Sequence, residues 1–162
     1  MAPAGFDEYC AARGKAMLRV AYALTGNVPD AEDLLQTALL KCYRRWDRID
    51  QPDAYVRRVL VRTYAGRRPR REHAAAQLPE TVAADPHGVD DRDEVLRLLG
   101  MLAPRQRAVL VMRYMLDLSD ATIALELGVT ESTVRTQAFR ALARLRAVRD
   151  SDLPTPGATH ER

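Results

Sequence analysis

The sequence of 162 residues has few aromatic side chains, almost no lysine and no long apolar run. Lys15 and Lys41 are its only lysines, so nearly all of its positive charge is arginine. No apolar stretch approaches the roughly 20 residues that a membrane-spanning helix needs, and we therefore expect a cytoplasmic protein. Runs of alternating β-branched residues are also lacking, which predicts an all-α fold.

Cysteine and histidine are equally scarce. Cys10 and Cys42 fall on separate predicted helices without the spacing of metal ligands, so they are interpreted as small core residues of a reduced protein. The three histidines, His73, His87 and His160, stand alone in polar stretches. The sequence offers no paired nucleophile and base, glycine-rich phosphate loop or ligand cluster, and we expect no enzyme activity, cofactor or metal.

Three amphipathic helices are predicted in a first domain that spans residues 5–68. Apolar spacing places one helix from Phe6 to Leu24. Asp30 is expected to cap a second helix that continues through Trp46, with Glu32 and Asp33 in its first turn. Pro52 suits the first position of a third helix, which ends near Ala65.

Arginine is concentrated at the end of this domain. The stretch from Arg44 to Glu72 holds ten arginines against four acids, a density that favours binding to a polyanion. A merely solvated charged face remains an alternative, and the general arginine excess is equally well explained by a GC-rich coding genome. The arginines of the third helix and its continuation are Arg57, Arg58, Arg62, Arg67, Arg68, Arg70 and Arg71.

The rest of the chain divides into a linker, a second domain and a tail. Residues 69–90 scatter proline and glycine among polar residues and are predicted to be a flexible linker. Residues 91–149 are predicted to form four helices, the first two from Asp91 to Met101 and from Pro104 to Met115. Residues 150–162 have nothing to bury and are expected to be a mobile tail.

The two remaining helices have the pattern of a helix-turn-helix. Small and apolar residues recur at helical spacing from Ser119 to Leu127, and Gly128 stops the helix. Thr130 is a suitable N-cap for the second helix, whose buried stripe begins at Val134. Its opposite face carries the kinds of side chain that read base edges in a major groove, although a basic helix of a small bundle would look similar. These residues are Arg135, Thr136, Phe139 and Arg140.

Three stretches together resemble the extracytoplasmic-function sigma factors of bacterial RNA polymerase, and most closely their actinobacterial sigma-E-like group. They are DAEDLLQTALLKCYRRW from Asp30, PDAYVRRVLVRTYAGRRPRR from Pro52, and the segment from Leu102 to Arg146 with its ending TVRTQAFRALARLR. The resemblance implies two helical domains, one for the minus-10 and one for the minus-35 promoter element. It also implies promoter DNA and core polymerase as partners, the latter through the clamp helices of the largest subunit and the flap of the second-largest. An anti-sigma factor is a further candidate partner.

The resemblance also implies roles for individual residues. The face that docks on the polymerase would comprise Asp30, Glu32, Asp33, Gln36, Lys41 and Arg45. The loop after Trp46 would capture a flipped minus-10 base and the next helix would hold the strand, with contacts from Arg48, Asp50, Gln51, Arg57, Arg58 and Arg62. The minus-35 element would meet Ser132, Thr133, Arg135, Thr136, Phe139 and Arg140.

The sequence departs from the family pattern at two positions. Arg62 stands where relatives usually carry asparagine, and Thr122 stands where a glutamate is common in the first helix of the motif. One other class of protein shares the L-x-P-R-Q-R lead into a helix-turn-helix, the transcription regulators of the response-regulator output type. They usually have an α/β receiver before the helices, which this sequence does not predict.

Overall fold

The protein is seen in a computed structural model that describes residues 1–67 and 89–152. The predicted linker lies outside these ranges except for its last two residues, as do the three histidines and most of the predicted tail. Within the described ranges the chain is helical without strands, which confirms the all-α class. The helices are α1 (Phe6–Thr25), α2 (Val28–Tyr43), α3 (Pro52–Ala65), α4 (Val89–Gly100), α5 (Pro104–Leu110), α6 (Asp120–Leu127) and α7 (Glu131–Asp152).

Helices α1, α2 and α3 pack mainly on one another and are called the amino-terminal group. Leu24, Leu34 and Leu60, one from each helix, are fully buried where the three meet. Each such leucine stabilises the folded state by about 1.5–3 kcal/mol relative to an exposed one. Cys42 is fully buried in the same core, whereas Cys10 is only half-buried, so the predicted core role is confirmed for one thiol and partial for the other.

The turn between α1 and α2 corrects one prediction. Gly26 ends α1 in the left-handed region, with φ of 80°. The cap of α2 is Asn27 rather than Asp30, because the Asn27 side chain accepts a hydrogen bond from the Asp30 backbone N–H at 2.9 Å. The helix consequently begins at Val28, and Asp30 is the acid of its first turn. It also ends before Trp46, which opens a short 3₁₀ turn, Trp46–Arg48, that leads to α3.

Helices α4 to α7 are called the carboxy-terminal group. Within it α7 packs on α5 and α6, whereas α4 packs on α1. Ala108, Val109, Met112, Ile123 and Val134 are buried there. Pro104 starts α5 as predicted, but the last turn before the motif widens into a π-helical turn over Val111–Met115. The Leu116 N–H then reaches the Val111 carbonyl at 3.2 Å.

The two groups also pack against each other, chiefly through α3 against α5 and α6. Arg107 of α5 is buried at this contact and donates from Nε to the Ala23 carbonyl in the last turn of α1, at 2.8 Å. Glu126 of α6 is buried against α3. Local helical patterns in the sequence do not predict these contacts, because each contact joins residues that are far apart in the chain.

Candidate nucleic-acid interface

The turn of the helix-turn-helix is built as its residues predict. Ser119 caps α6 by accepting a hydrogen bond from the Thr122 backbone N–H at 3.2 Å. Gly128 ends the helix with φ of 70°, a conformation that side chains with a Cβ adopt at a cost. Thr130 then accepts from the Thr133 N–H at 3.1 Å and starts α7. Because only three residues separate the two helices, the orientation of α7 is closely defined.

The exposed face of α7 is also as predicted. Val134, Ala138 and Ala141 are fully buried on one side of the helix. Phe139, on the opposite side, is 72% exposed. An exposed aromatic side chain with cations beside it is typical of a surface that binds a partner. The face combines the four exposed residues of the prediction, Arg135, Thr136, Phe139 and Arg140.

The start of α7 adds two hydroxyl groups to this face. Ser132 is exposed, whereas Thr133 is half-buried and its hydroxyl lies 3.0 Å from that of Thr130. Arg135 is held loosely by Glu131, one helical turn earlier, with 3.4 Å between Nη1 and the carboxylate. Such an exposed pair contributes little to stability, so Arg135 can exchange Glu131 for a phosphate or a base.

A second candidate surface is an open cleft of about 600 Å³ between the 3₁₀ turn and α3. Trp46 anchors the turn, because its indole N–H donates to the Ala4 carbonyl at 2.8 Å and its ring meets Phe6 edge to face. The cleft thus combines hydrogen-bonding groups, an aromatic ring and cations. Its lining consists of Arg45, Arg48, Ile49, Asp50, Gln51, Ala54, Tyr55 and Arg58.

Two of the arginines of α3, Arg57 and Arg62, have hydrogen-bond partners within the protein, which the sequence does not predict. Arg57 donates to both carboxylate oxygens of Glu126, from Nε at 3.0 and 3.1 Å and through a further contact from Nη2. This hydrogen bond raises the pKa of the Arg57 guanidinium. Arg62 donates from Nε to the Glu126 carbonyl at 2.5 Å. Of the three arginines of α3, Arg58 alone lines the cleft. Arg68, Arg70 and Arg71 lie outside the described residues.

The predicted docking face on α2 is a continuous exposed surface with one exception. Glu32, Asp33, Gln36 and Lys41 are exposed, and Arg45 follows the helix on the surface. Asp30 is half-buried and its carboxylate accepts a hydrogen bond from the Asn27 amide at 2.9 Å. Asp30 is therefore part of the start of the helix as well as of its surface.

Glu126 and Arg107 lie at the contact between the two groups of helices, and the sequence prediction missed both. Glu126 is 3% exposed and Arg107 is 5% exposed. Burial lowers the pKa of the Arg107 guanidinium. One signal was available for Glu126: it lies between Ile123, Ala124 and Leu127 on a short apolar helix, where an acid needs a partner.

Other kinds of site find little support in the described residues. No group of cysteine, histidine and acidic side chains in residues 1–67 and 89–152 could hold a metal ion. Over the same ranges, no helix has both the length and the apolar character to cross a membrane.

In comparisons with known proteins, each of the two groups of helices matches a described protein family. Residues 11–74 match the family described as Sigma-70 region 2, and residues 92–145 match Sigma-70, region 4. The RNA polymerase sigma-E factor of Streptomyces coelicolor is 41% identical over 150 residues, which cover 87% of this chain and 84% of that protein. The ECF RNA polymerase sigma factor SigM of Mycobacterium tuberculosis is 32% identical over 148 residues, covering 86% and 74%.

Solved structures share the fold. The sigma factor RpoE of Bartonella quintana, crystallised with the anti-sigma factor NepR, matches with a TM-score of 0.65 at 19% identity, over 91% of this chain and 98% of that chain. CnrH, solved with the cytosolic domain of CnrY, gives 0.62 at 23%, over 91% and 89%. The family resemblance drawn from the sequence is confirmed, and the chain belongs to the extracytoplasmic-function sigma factors, the sigma-E-like subunits that direct RNA polymerase to promoters.

Proposed function

We propose that this sigma factor divides promoter recognition between its two groups of helices, with residues 5–68 as one domain and 91–149 as the other. The exposed face of α7 supports this most directly, because it presents guanidinium, hydroxyl, methyl and ring groups together after a well-formed turn. A helix placed in this way enters a major groove, where arginine pairs with guanine. The minus-35 contacts are Ser132, Thr133, Arg135, Thr136, Phe139 and Arg140.

The cleft beside α3 is the proposed site for the opened minus-10 strand. A flipped base needs a pocket with hydrogen-bonding groups, and Asp50 and Gln51 offer them at the rim, beside the ring of Tyr55. The strand on either side of the base needs cations, and Arg48 and Arg58 lie on the same cleft. Arg57 and Arg62, on the same helix, are the other proposed strand contacts.

The exposed face of α2 is the proposed docking surface for core polymerase. Its acids, amide and base form a polar patch whose arrangement favours one complementary partner over others. The residues of α2 lie on a different helix from both DNA surfaces, whereas Arg45, which follows α2, also lines the cleft beside α3. The residues of the patch are Asp30, Glu32, Asp33, Gln36, Lys41 and Arg45. The protein acts in the cytoplasm with the polymerase and supplies binding rather than chemistry.

Run-off transcription tests the proposal and supplies the missing promoter. Core polymerase with this protein should yield discrete transcripts from genomic fragments, and core polymerase alone should not. On the promoter so identified, Arg140→Ala should weaken holoenzyme binding by about 1–3 kcal/mol if Arg140 contacts a base edge with both guanidinium nitrogens.

Arg144→Ala is the matched control, because Arg144 is an exposed arginine one turn further along the same helix and outside the proposed contacts. It should bind nearly as wild type. Equal binding by both variants would remove Arg140 from the minus-35 surface, and absence of any specific transcript would contradict the function itself.

A further inference from the structure

The first residues of the chain are tied to the turn beside the cleft of α3. The Trp46 indole N–H donates to the Ala4 carbonyl at 2.8 Å. The Tyr43 hydroxyl, just before the turn, donates to the Met1 carbonyl at 3.1 Å. Each of these bonds joins residues 42 positions apart, so both hold the start of the chain against the end of α2. Residues 1–6 are called the amino-terminal brace.

Aromatic rings add to this contact. The ring of Phe6 lies edge to face with the rings of Tyr43 and Trp46, with 5.2 Å between the centroids in both pairs. Tyr9, one turn further along α1, has its ring centroid 5.4 Å from that of Trp46. Aromatic pairs of this kind stabilise a structure by more than the area they bury. Trp46 is therefore held by ring packing as well as by its N–H.

Gly5 gives the amino-terminal brace its shape. Its φ of 81° lies in the left-handed region, which a residue with a Cβ adopts at a cost. Across this turn the Phe6 N–H donates to the Pro3 carbonyl at 3.2 Å. A Cβ added to Gly5 would lie 3.9 Å from the Trp46 ring, which is an ordinary contact. The backbone conformation, rather than a lack of space, therefore requires glycine here.

We infer that the amino-terminal brace positions the base-capture loop, defined as residues 46–51, and that Trp46 is the positioning residue through which it acts. The loop carries Arg48, Asp50 and Gln51, whose side chains are exposed. A loop that is already ordered in its bound conformation binds more tightly, because less ordering remains to be done on binding. This role rests on the proposed minus-10 function of the cleft.

Trp46 can position the loop because it is the residue that begins it. Its carbonyl accepts a hydrogen bond from the Ile49 N–H at 3.1 Å, which closes the 3₁₀ turn. Arg48 lies within that turn and Asp50 follows it, and both line the cleft together with Ile49. Loss of the bond from the indole to Ala4 therefore frees the turn that carries these groups. The hydrogen bonds and ring contacts of the brace do not involve α7, so duplex binding by α7 does not depend on them.

Gly5→Ala in the full-length chain should release the amino-terminal brace. Trp46 is the only tryptophan of the sequence, so its fluorescence reports on the contact directly. The emission should move to longer wavelength and acrylamide should quench it more strongly, because the ring becomes more exposed to water. Gly14→Ala is the matched control, since Gly14 lies within α1 with open space around an added Cβ. It should keep the wild-type spectrum.

Binding to a fluorescein-labelled single-stranded oligonucleotide of mixed sequence measures the consequence for the cleft. Trp46→Phe removes the N–H but keeps an aromatic ring, so it tests the bond to Ala4 rather than the packing. Gly5→Ala and Trp46→Phe should each bind the strand about fivefold more weakly, as expected for loss of one hydrogen bond that orders the site. The slope of log K against log salt should keep its wild-type value, because no cation is removed. Binding to a duplex of the same sequence should not change.

Two outcomes would overturn the positioning role. One is wild-type strand binding by Trp46→Phe, which lacks the donor in every conformation. The other is equal weakening of strand and duplex binding in both variants, which would show a general loss of folding.

Hydrogen exchange of residues 45–51 separates this role from the proposed function. If the wild-type protein does not bind the strand, the minus-10 function of the cleft fails. Faster exchange of these amides in both variants, but not in Gly14→Ala, would still show that the amino-terminal brace orders the loop. Unchanged exchange would show that it does not.

Discussion

Arginine side chains in this protein bind two kinds of acceptor, carboxylates and backbone carbonyls. Arg113 binds the Asp120 carboxylate within one group of helices, with 2.5 Å between Nη2 and Oδ1. Arg57 binds a carboxylate of the other group, and Arg62 and Arg107 bind backbone carbonyls. A planar guanidinium with five N–H donors can bind both a carboxylate and a carbonyl in this way, whereas the compact ammonium of a lysine lacks that forked geometry. The near absence of lysine is thus consistent with the contacts that the arginines make.

Helical periodicity alone predicted the exposed face of α7, but not the partners of α3. Arg135, Phe139 and Arg140 are exposed because Val134, Ala138 and Ala141 fill the other side of one helix, and that information is local. Arg57 meets Glu126 at a separation of 69 positions. Periodicity shows which way a side chain points, but it does not show which surface lies opposite.

Cys42 should be nearly inert in the folded protein. Burial raises the pKa of its thiol to about 11, so at about pH 8 only about one molecule in a thousand carries the reactive thiolate. In the variant Cys10→Ser, Ellman's reagent should react slowly under native conditions and fully in urea. The pKa is raised on folding, so stability is retained below the unfolded value of about 8.5 and falls as pH rises towards 11. Rapid native reaction would place Cys42 outside the core.

At the scale of helices, the ends were predicted correctly where only one residue in the neighbourhood is suited to start or stop a helix. Pro52 begins α3, and Gly128 and Thr130 form the turn of the motif as expected. The second helix was placed wrongly because Asn27 and Asp30 are both good caps, and the sequence does not say which one the chain uses.

The π-helical turn over Val111–Met115 had no counterpart in the prediction. It allows Val111 and Met112 to remain buried while the chain leaves the helix towards Asp117, which has φ of 51°. A widened turn depends on packing at both ends of the segment, and apolar spacing carries no separate signal for it.

Gly128 should be required for the turn, and Gly14 offers a comparison within the same chain. Gly128→Ala places a Cβ at a residue with φ of 70°, which costs about 1–2 kcal/mol. Gly14 lies inside α1 with open space around its added Cβ, so Gly14→Ala should instead stabilise the protein by about 0.5–1 kcal/mol. Urea unfolding midpoints measure both. Effects of the same sign would show that the conformation of Gly128 is not what the turn requires.

In the whole molecule, each group of helices receives an arginine from the other at a helix end. Arg62 of α3 binds the last turn of α6, and Arg107 of α5 binds the last turn of α1. A cation is favoured there, because unpaired carbonyls and the helix dipole make a C-terminus negative. The reciprocal contacts join the two groups at these helix ends, beside a single hydrophobic core to which both groups contribute.

Arg107 should hold the two groups together independently of Glu126. Its Nε bond to the Ala23 carbonyl is charge-assisted, and loss of such a bond costs about 1.5–3 kcal/mol. We expect the lower end of this energy range. Nη2 of Arg107 has no acceptor among the described residues, and its desolvation offsets part of the stabilisation that the Nε hydrogen bond gives. Arg107→Ala should therefore increase the radius of gyration and divide thermal unfolding in calorimetry into two transitions.

Arg113→Ala provides the comparison for this prediction. It removes a guanidinium that is bonded within the carboxy-terminal group alone, so it should lower the stability of that group without expanding the molecule. If Arg107→Ala stays as compact as wild type and only its unfolding midpoint falls, Arg107 stabilises the helices around it rather than the contact between groups. Glu126 with its two arginines would then be the main polar link between the two groups.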